Sequence, residues 1–353
     1  MSHKYYTMLE PKKNSILEFI KENSGSSSKE VFDGLNIKIG YSTVKRILNQ
    51  LGNDGFIKTE GTGKGTKYFI SPSYEVLNQI DIVRYFEKEI DERIIKNGFN
   101  FTLIPKVLSE IELFKKDELN RLMLLQEKFK SNISKLSEFE YSKEMERLAI
   151  DLSWKSSQIE GNTYTLLETE RLLKEKETAA GKKKDEATML LNHKDAIDFI
   201  VSNPKYLSLL TISKIEDIHS ILIQDLGVDR NIRKGRVGIS GTNYRPLDNE
   251  YQIKEALQDM CNLVISRNSV FEKALLLLVL ISYIQPFVDG NKRTARIISN
   301  AMLIENNYCP ISFRTVDSVE YKKAMLIFYE QNNVTAFKEI FINQFEFAVS
   351  TYF

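Results

Sequence analysis

Along most of the chain apolar residues recur every three or four positions, the spacing of helices that bury one face. Lys12 to Asn23 reads as a short amphipathic helix with Ile16, Leu17, Phe19 and Ile20 as its stripe. A polar break follows at residues 24–28, where Ser27 or Ser28 can cap a second helix through Phe32. Residues 36–40 turn the chain into a third helix, Tyr41 to Gly52, with Val44, Ile47, Leu48 and Leu51 facing inward. The period then changes. Phe56 to Ile70 holds two β-prone runs around Gly61, Gly63 and Gly65, which is a hairpin signal. From Val76 to about Asp151 helical spacing returns with dense charge, and Leu122, Leu124, Leu125 and Phe129 predict one apolar face. Lys182 to Lys184 is a loop ahead of a helix from Glu186 to Val201. Ala274 to Ile284 is a hydrophobic helix, and its longest apolar run has the length of a core helix, too short for a membrane span.

Composition agrees with a globular chain: 353 residues, 42% hydrophobic and 27% charged. The N-terminus has no apolar stretch behind its charges, so no signal peptide is expected. The two cysteines, Cys261 and Cys309, lack metal-ligand spacing and read as reduced core thiols of a cytoplasmic protein. The net charge of +1 hides an asymmetry. Residues 1–73 carry eleven Lys/Arg against seven Asp/Glu, and the remainder 38 against 41. Three helices and a hairpin in a basic segment resemble a winged helix-turn-helix domain. By that resemblance the third helix enters the major groove, so Ser42, Thr43, Lys45 and Arg46 would face DNA. Lys64 and Lys67 on the wing would meet phosphates. A winged helix that docks protein instead of DNA is the competing reading.

The residues that carry chemistry follow the hydrophobic helix. Gln285 to Arg296 reads QPFVDGNKRTAR. Pro286, Gly290 and Asn291 punctuate a tight loop at the start of a second helix, where free N–H groups and the helix dipole favour an anion. Asp289 puts a carboxylate just ahead of that site, where Mg²⁺ could be held against phosphate oxygens. Arg293 and Arg296 share a helical face, so both guanidinium forks can reach one polyphosphate.

Together the string resembles the signature of the Fic (Fido) family, H-P-F-x-[D/E]-G-N-[G/K]-R-x-x-R. The resemblance implies a mainly α protein: an all-helical Fic/Fido core with a β-hairpin flap over residues 74–353, and a winged helix-turn-helix domain over 1–73. It implies transfer of AMP from ATP to a protein hydroxyl, with ATP and Mg²⁺ as cofactors. Asp289 would bind the metal; Gly290, Asn291 and Lys292 would line the phosphates; Arg293 would contact the β-phosphate and Arg296 the γ-phosphate. Phe287 would anchor the loop in the core. Ser156 to Asn162 (SSQIEGN) matches the family's inhibitory helix, about residues 150–162, with Ser156, Glu160 and Gly161 in register. A glutamate offered to Arg296 occupies the fork that would orient the γ-phosphate; the same residues also read as a plain helix end with Gly161 as its cap. Arg233 to Pro246 predicts a β-hairpin flap, with Gly238, Ile239, Ser240 and Gly241 at its centre, against which a target segment would pair.

Two positions depart from the signature. Gln285 stands where the family has a histidine base, and an amide has no comparable basicity. A loss of the base, natural or engineered, or a substitute base elsewhere, are the alternatives; His193 and His219 read as packing or surface residues. Lys292 stands where AMP-transferring members more often have glycine, and this spelling also occurs among phosphotransferases, which generally lack the second arginine. The expectation is therefore an adenylyltransferase impaired by Gln285 and restrained by Glu160. The alternative is a DNA-binding regulator whose degenerate Fic domain only binds nucleotide or partners. A homodimer and a protein target with a Ser, Thr or Tyr hydroxyl are the partners the resemblance implies; no membrane is expected.

Overall fold

The structure, a computed structural model, describes residues 2–353 apart from Ile94 and Asn97, with residues 2–10 described by backbone alone. The chain folds as two compact units, 1–78 and 79–353.

The first unit runs α1 (Ser2–Glu22), α2 (Ser28–Gly34), α3 (Tyr41–Asn53), β1 (Ile57–Glu60), β2 (Lys67–Ile70) and α4 (Pro72–Leu77). Ser27 caps α2, accepting from the Glu30 amide while the Glu30 carboxylate accepts from the Ser27 amide at 2.6 Å. The inward stripes of α1 and α3 meet in one core, where Ile16, Ile20, Val31, Val44 and Ile47 are fully buried. The strands pair antiparallel in the register Ile57↔Ile70 to Glu60↔Lys67. At the tip Gly61 is left-handed (φ +79), and a Cβ there would stand 2.7 Å from the Gly65 carbonyl oxygen, so the turn requires glycine. Helix α4 belongs to this unit, since Ser73 donates to the Gly55 carbonyl, and the unit ends at Asn78.

The second unit is helical: α5 (Ile82–Phe86), α6 (Lys116–Ile133), α7 (Glu138–Ile159), α8 (Leu166–Glu175), α9 (Lys184–Ser202), α10 (Ile212–Leu222), α11 (Glu250–Ser266), α12 (Val270–Ile284), α13 (Asn291–Glu305), α14 (Ser318–Gln331) and α15 (Thr335–Thr351). Helix α12 is apolar around nearly its whole circumference because α11, α13, α14 and α15 enclose it. Two expectations fail here. The described residues among 87–115 do not form a long helix: they include short helical turns, and some of their backbone is tied to the body instead. Lys96 N–H donates to the Glu330 carbonyl and Asn100 N–H to the Tyr283 hydroxyl. On α6, Leu122, Gln126 and Phe129 form the buried face, whereas Leu124 is 74% exposed because it points to the opposite side of that helix. No helix among the described residues is long and apolar enough to cross a membrane. Cys261 and Cys309 are free, buried thiols.

Candidate functional site

Helices α12 and α13 are joined by residues 285–290, and this loop is built by backbone conformation and one asparagine. Gln285 ends α12 in the left-handed region (φ 52), and Gly290 opens α13 in the same region (φ +79). Gly290 is required twice over: a Cβ would lie 3.1 Å from His219 Cε1 and 3.3 Å from Ile223 Cγ2. The buried Asn291 side chain accepts from the Phe287 amide at 2.8 Å and donates to the Phe287 carbonyl at 2.8 Å and to Gln285 Oε1 at 3.0 Å. Asn291 thus laces the loop to itself. The amides of the first turn of α13 have no acceptor within the helix, and Asn291, Lys292 and Arg293 of that turn line a cavity of about 520 Å³.

Phe287 is fully buried and lies flat on His219, ring centroids 3.6 Å apart at 4°. His219 is therefore the floor of the loop. Its Nδ1 meets Thr294 Oγ1 at 3.2 Å, and burial, with the Arg293 charge, depresses its pKa to about 4. His193 is also fully buried, and desolvation followed by the Arg296 and Arg293 charges pushes its pKa well down. Neither histidine lines the cavity, so neither is placed to stand in for a base there. The Gln285 amide is engaged inward: Nε2 donates to the Ser282 carbonyl at 2.6 Å and Oε1 accepts from Asn291.

The two arginines sit on one face of α13 and are almost wholly buried. Arg293 Nη2 pairs with Asp289 Oδ2 at 2.9 Å, and that carboxylate is 63% exposed. Arg296 is held by the end of α7. Its Nε donates to Ser156 Oγ at 2.8 Å, and its Nη2 to the Ser156 carbonyl at 3.0 Å and to Glu160 Oε1 at 2.7 Å. Lys292 Nζ approaches the other Glu160 oxygen at 3.4 Å. Burial alone would raise the Glu160 pKa, but the Arg296 and Lys292 charges outweigh it and hold the carboxyl below its ordinary value. Gly161, at φ +100, ends α7 and turns the chain away. The helix-end reading and the arginine-pairing reading thus describe the same geometry.

Residues 233–246 have no regular secondary structure, turn at Ser240–Gly241 and form no ladder; the one paired hairpin among the described residues is β1–β2. Side chains replace the missing ladder. Arg233, buried, gives its Nε to the Gln285 carbonyl at 2.6 Å and its other nitrogens to the Gly235 and Leu247 carbonyls, while its amide donates to the Pro286 carbonyl. Gly238, Ile239, Ser240 and Gly241 line the cavity opposite Asp289, Lys292 and Arg293. Sequence patterns single out the motif residues but miss Arg233 and the floor role of His219, since an isolated Arg or His carries no periodic signal.

On the first unit, Ser42, Lys45 and Arg46 are exposed along α3 and Thr43 is half-buried, with Lys45 Nζ 5.1 Å from the Tyr41 ring centre. Lys67 does not project from the wing as a free cation: it pairs with Glu30 at 3.0 Å, because the register brings the start of β2 beside α2. Lys64 remains exposed at the tip.

A nearly all-helical body places a helix start, two buried arginines and the 238–241 loop at or beside one cavity. Residues 209–303 match the Fic/DOC family, and residues 10–122 match the penicillinase repressor family. The Fic/DOC match thus falls within the second unit, around the α12–α13 loop, and the penicillinase repressor match begins in the helix-and-hairpin first unit. The chain is 29% identical over 174 residues to the protein adenylyltransferase Fic of Nematostella vectensis, spanning 47% of this chain and 40% of that relative. It is 26% identical over 156 residues to the protein of the same name from Drosophila willistoni, spanning 43% of this chain and 31% of that relative. The chain therefore spans less than half the length of these curated relatives. Among solved structures, residues 134–508 of Fic-1 from C. elegans superpose with a TM-score of 0.58 at 19% identity, covering 67% of this chain and 72% of that one. A Fic-domain signaling protein from Bacteroides thetaiotaomicron gives 0.57 at 19%, covering 66% and 95%. At such identity these two speak to the fold alone.

Proposed function

We propose that the second unit binds ATP with Mg²⁺ and belongs to the AMP-transfer chemistry of its adenylyltransferase relatives, restrained by Glu160 and impaired by Gln285. One observation carries the reading: a fully buried Arg296, beside the free amides of α13, is neutralised by a glutamate from another helix. The donors fit a polyphosphate. Arg293 Nε and Arg296 Nη1 are buried without a hydrogen-bond partner, and Asn291, Lys292 and Arg293 from the first turn of α13 line the cavity. Asp289, largely exposed, fits Mg²⁺, a metal that keeps its waters and takes one or two carboxylates plus phosphate oxygens. Bound there, ATP would supply the AMP group and Mg²⁺ would neutralise the phosphates.

In such a reaction the target hydroxyl oxygen bonds to the α-phosphorus, pyrophosphate leaves, and the hydroxyl proton goes to a base. Gln285 cannot take that proton, and losing a general base removes about 10²–10⁴ in rate. The exposed, ladder-free edge at 238–241 suits a target segment added as an extended strand. The test compares the chain as it stands, Gln285→His, and Gln285→His with Glu160→Gly, supplied with ATP labelled at the α- or γ-phosphate. The reading expects α-label transfer in the double variant. Label arriving only from the γ-position would make the chemistry phosphoryl transfer, and no transfer to itself or to any lysate protein would refute both.

A second reading is independent of turnover. The exposed Lys45 and Arg46 on α3 support DNA binding by the first unit, with its Fic-type body acting through nucleotide or partners. Binding should weaken with salt, and removing either cation should lower the salt slope by about one. A slope that ignores both removals would refute it.

A further inference from the structure

The flap has no strand partner, so its position over the cavity depends on whatever grips it. Arg233 grips its beginning. Its far end is gripped by residues of the segment that follows the first unit directly. Arg93 Nη2 donates to the Gly241 carbonyl at 2.7 Å, and Asp91 Oδ1 accepts from Asn243 Nδ2 at 2.9 Å. Gly241 is a cavity-lining residue in the left-handed region (φ +88), and a Cβ there would touch Leu326 at 3.4 Å.

Arg93 is itself fixed. Its guanidinium Nη1 faces Glu330 Oε1 at 3.3 Å, with the two side chains 3% and 0% exposed, and it stacks over Phe86 at 5.2 Å. The other Glu330 oxygen accepts from the Tyr85 hydroxyl at 2.6 Å, and Gln331 donates to that hydroxyl at 3.2 Å. A buried carboxylate on α14 and two aromatic residues of α5 thus hold one fork whose Nη2 reaches the flap. A buried ion pair costs desolvation and is weak evidence of stabilisation by itself; its attested use is to fix one arrangement.

We infer that Arg93 is a positioning residue for the flap, setting where Gly238–Gly241 stand at the cavity mouth. The inference concerns flap geometry and holds whether or not the site turns over. It places a determinant of the target-facing edge outside the Fic/DOC-matching residues 209–303, on the stretch leading out of the winged-helix unit.

The test uses the full chain with a nitroxide on Ser240→Cys, an exposed flap position, and a second on Ser202→Cys at the exposed end of α9. Cys261 and Cys309 are buried, and burial pushes both thiols up, Cys261 to about 11, so they label poorly. Arg93→Ala should speed the motion of the label at 240 several-fold and leave that at 202 unchanged. Arg93→Lys, which keeps a charge for Glu330, should restore part of the restriction. Because Arg93→Ala strands a buried carboxylate, Arg93→Ala with Glu330→Gln is measured alongside and should loosen 240 in the same way. The inference is overturned if either folded variant lacking Arg93 leaves the label at 240 unchanged, if 202 loosens equally, or if Arg93→Lys leaves 240 as mobile as Arg93→Ala.

Discussion

Replacing Glu160 by glutamine should move two measured quantities in opposite directions. Without nucleotide, the substitution removes the charge facing a guanidinium that is 0% exposed. Breaking a buried pair by removing one partner costs about 3–5 kcal/mol. Here the cost is smaller, because the Glu160 side chain is 21% exposed, the amide still accepts, and the two Ser156 bonds to Arg296 persist. A loss of about 1–3 kcal/mol is expected, the worth of a charge-assisted hydrogen bond. In a body of this size that lowers Tm by about 2–4 °C per kcal/mol. With ATP and Mg²⁺ the sign reverses, since Arg296 no longer has to leave a carboxylate to reach a phosphate. Recovering about 1.4–3 kcal/mol tightens Kd roughly tenfold to a hundredfold. Thermal unfolding and titration calorimetry, each with and without ATP–Mg²⁺, measure both effects in one preparation. An unchanged Kd together with an unchanged Tm would refute the ion-pair reasoning. A lower Tm with an unchanged Kd would leave the pair structural and refute its competition with nucleotide. Acid should mimic the substitution. The Glu160 pKa is lowered, so its contribution is complete above the ordinary carboxylate range and is lost as pH falls through the lowered value.

Other expectations follow from the loop and its floor. The His219 pKa falls from 6.5 to about 4 in the folded chain, so the unfolded chain takes the proton first. Stability should therefore decline as pH falls from about 6.5 towards 4, by about 2 kcal/mol between pH 7 and pH 5 from this residue. His193 acts in the same direction, and denaturant midpoints for the chain and for His219→Gln should show a shallower decline in the variant; equal slopes would count against a neutral buried His219. Gly290→Ala forces a Cβ into a left-handed residue 3.1 Å from His219, which should cost about 1–3 kcal/mol and weaken ATP binding, read by the same midpoints and by calorimetry. Asn291→Ala removes three loop hydrogen bonds and leaves the buried Phe287 amide unpaired, so it should destabilise by about 2–4 kcal/mol, whereas Val288→Ala, at a position 57% exposed, should change the midpoint by less than about 0.5 kcal/mol.

Local patterns in this chain are strongly legible. The serine cap at residues 27–28, the stripe Val44–Ile47–Leu48–Leu51, the glycines between the two β-prone runs, and the string from Gln285 to Arg296 each depend on neighbours a few positions away. Helical spacing, capping and turn chemistry act over that range, so the winged helix, the hydrophobic α12 and the loop with its paired arginines follow from residue order alone. Periodicity misleads where long-range contacts outrank it. The described residues among 87–115 abandon the helix their charge pattern predicts because Glu330 and Tyr283, more than 180 positions away, take some of their amides. Leu124 reads as core and is solvent-facing, while Gln126, two residues on, is buried to bond the Asn307 carbonyl. The flap reads as a hairpin but is held by Arg233 and Arg93, whose partners are backbone carbonyls that no sequence pattern announces. Residue order by itself determines that a tight loop and a helix start with two arginines follow the hydrophobic helix, and that Gln285 stands where the resembled signature has histidine. Tertiary structure alone decides that the Gln285 amide is turned inward as a loop fastener, that His219 is the floor and not a base, and that Glu160 lies on Arg296. Those outcomes depend on where separate helices come to rest against one another, and packing of distant elements leaves no periodic trace along the chain.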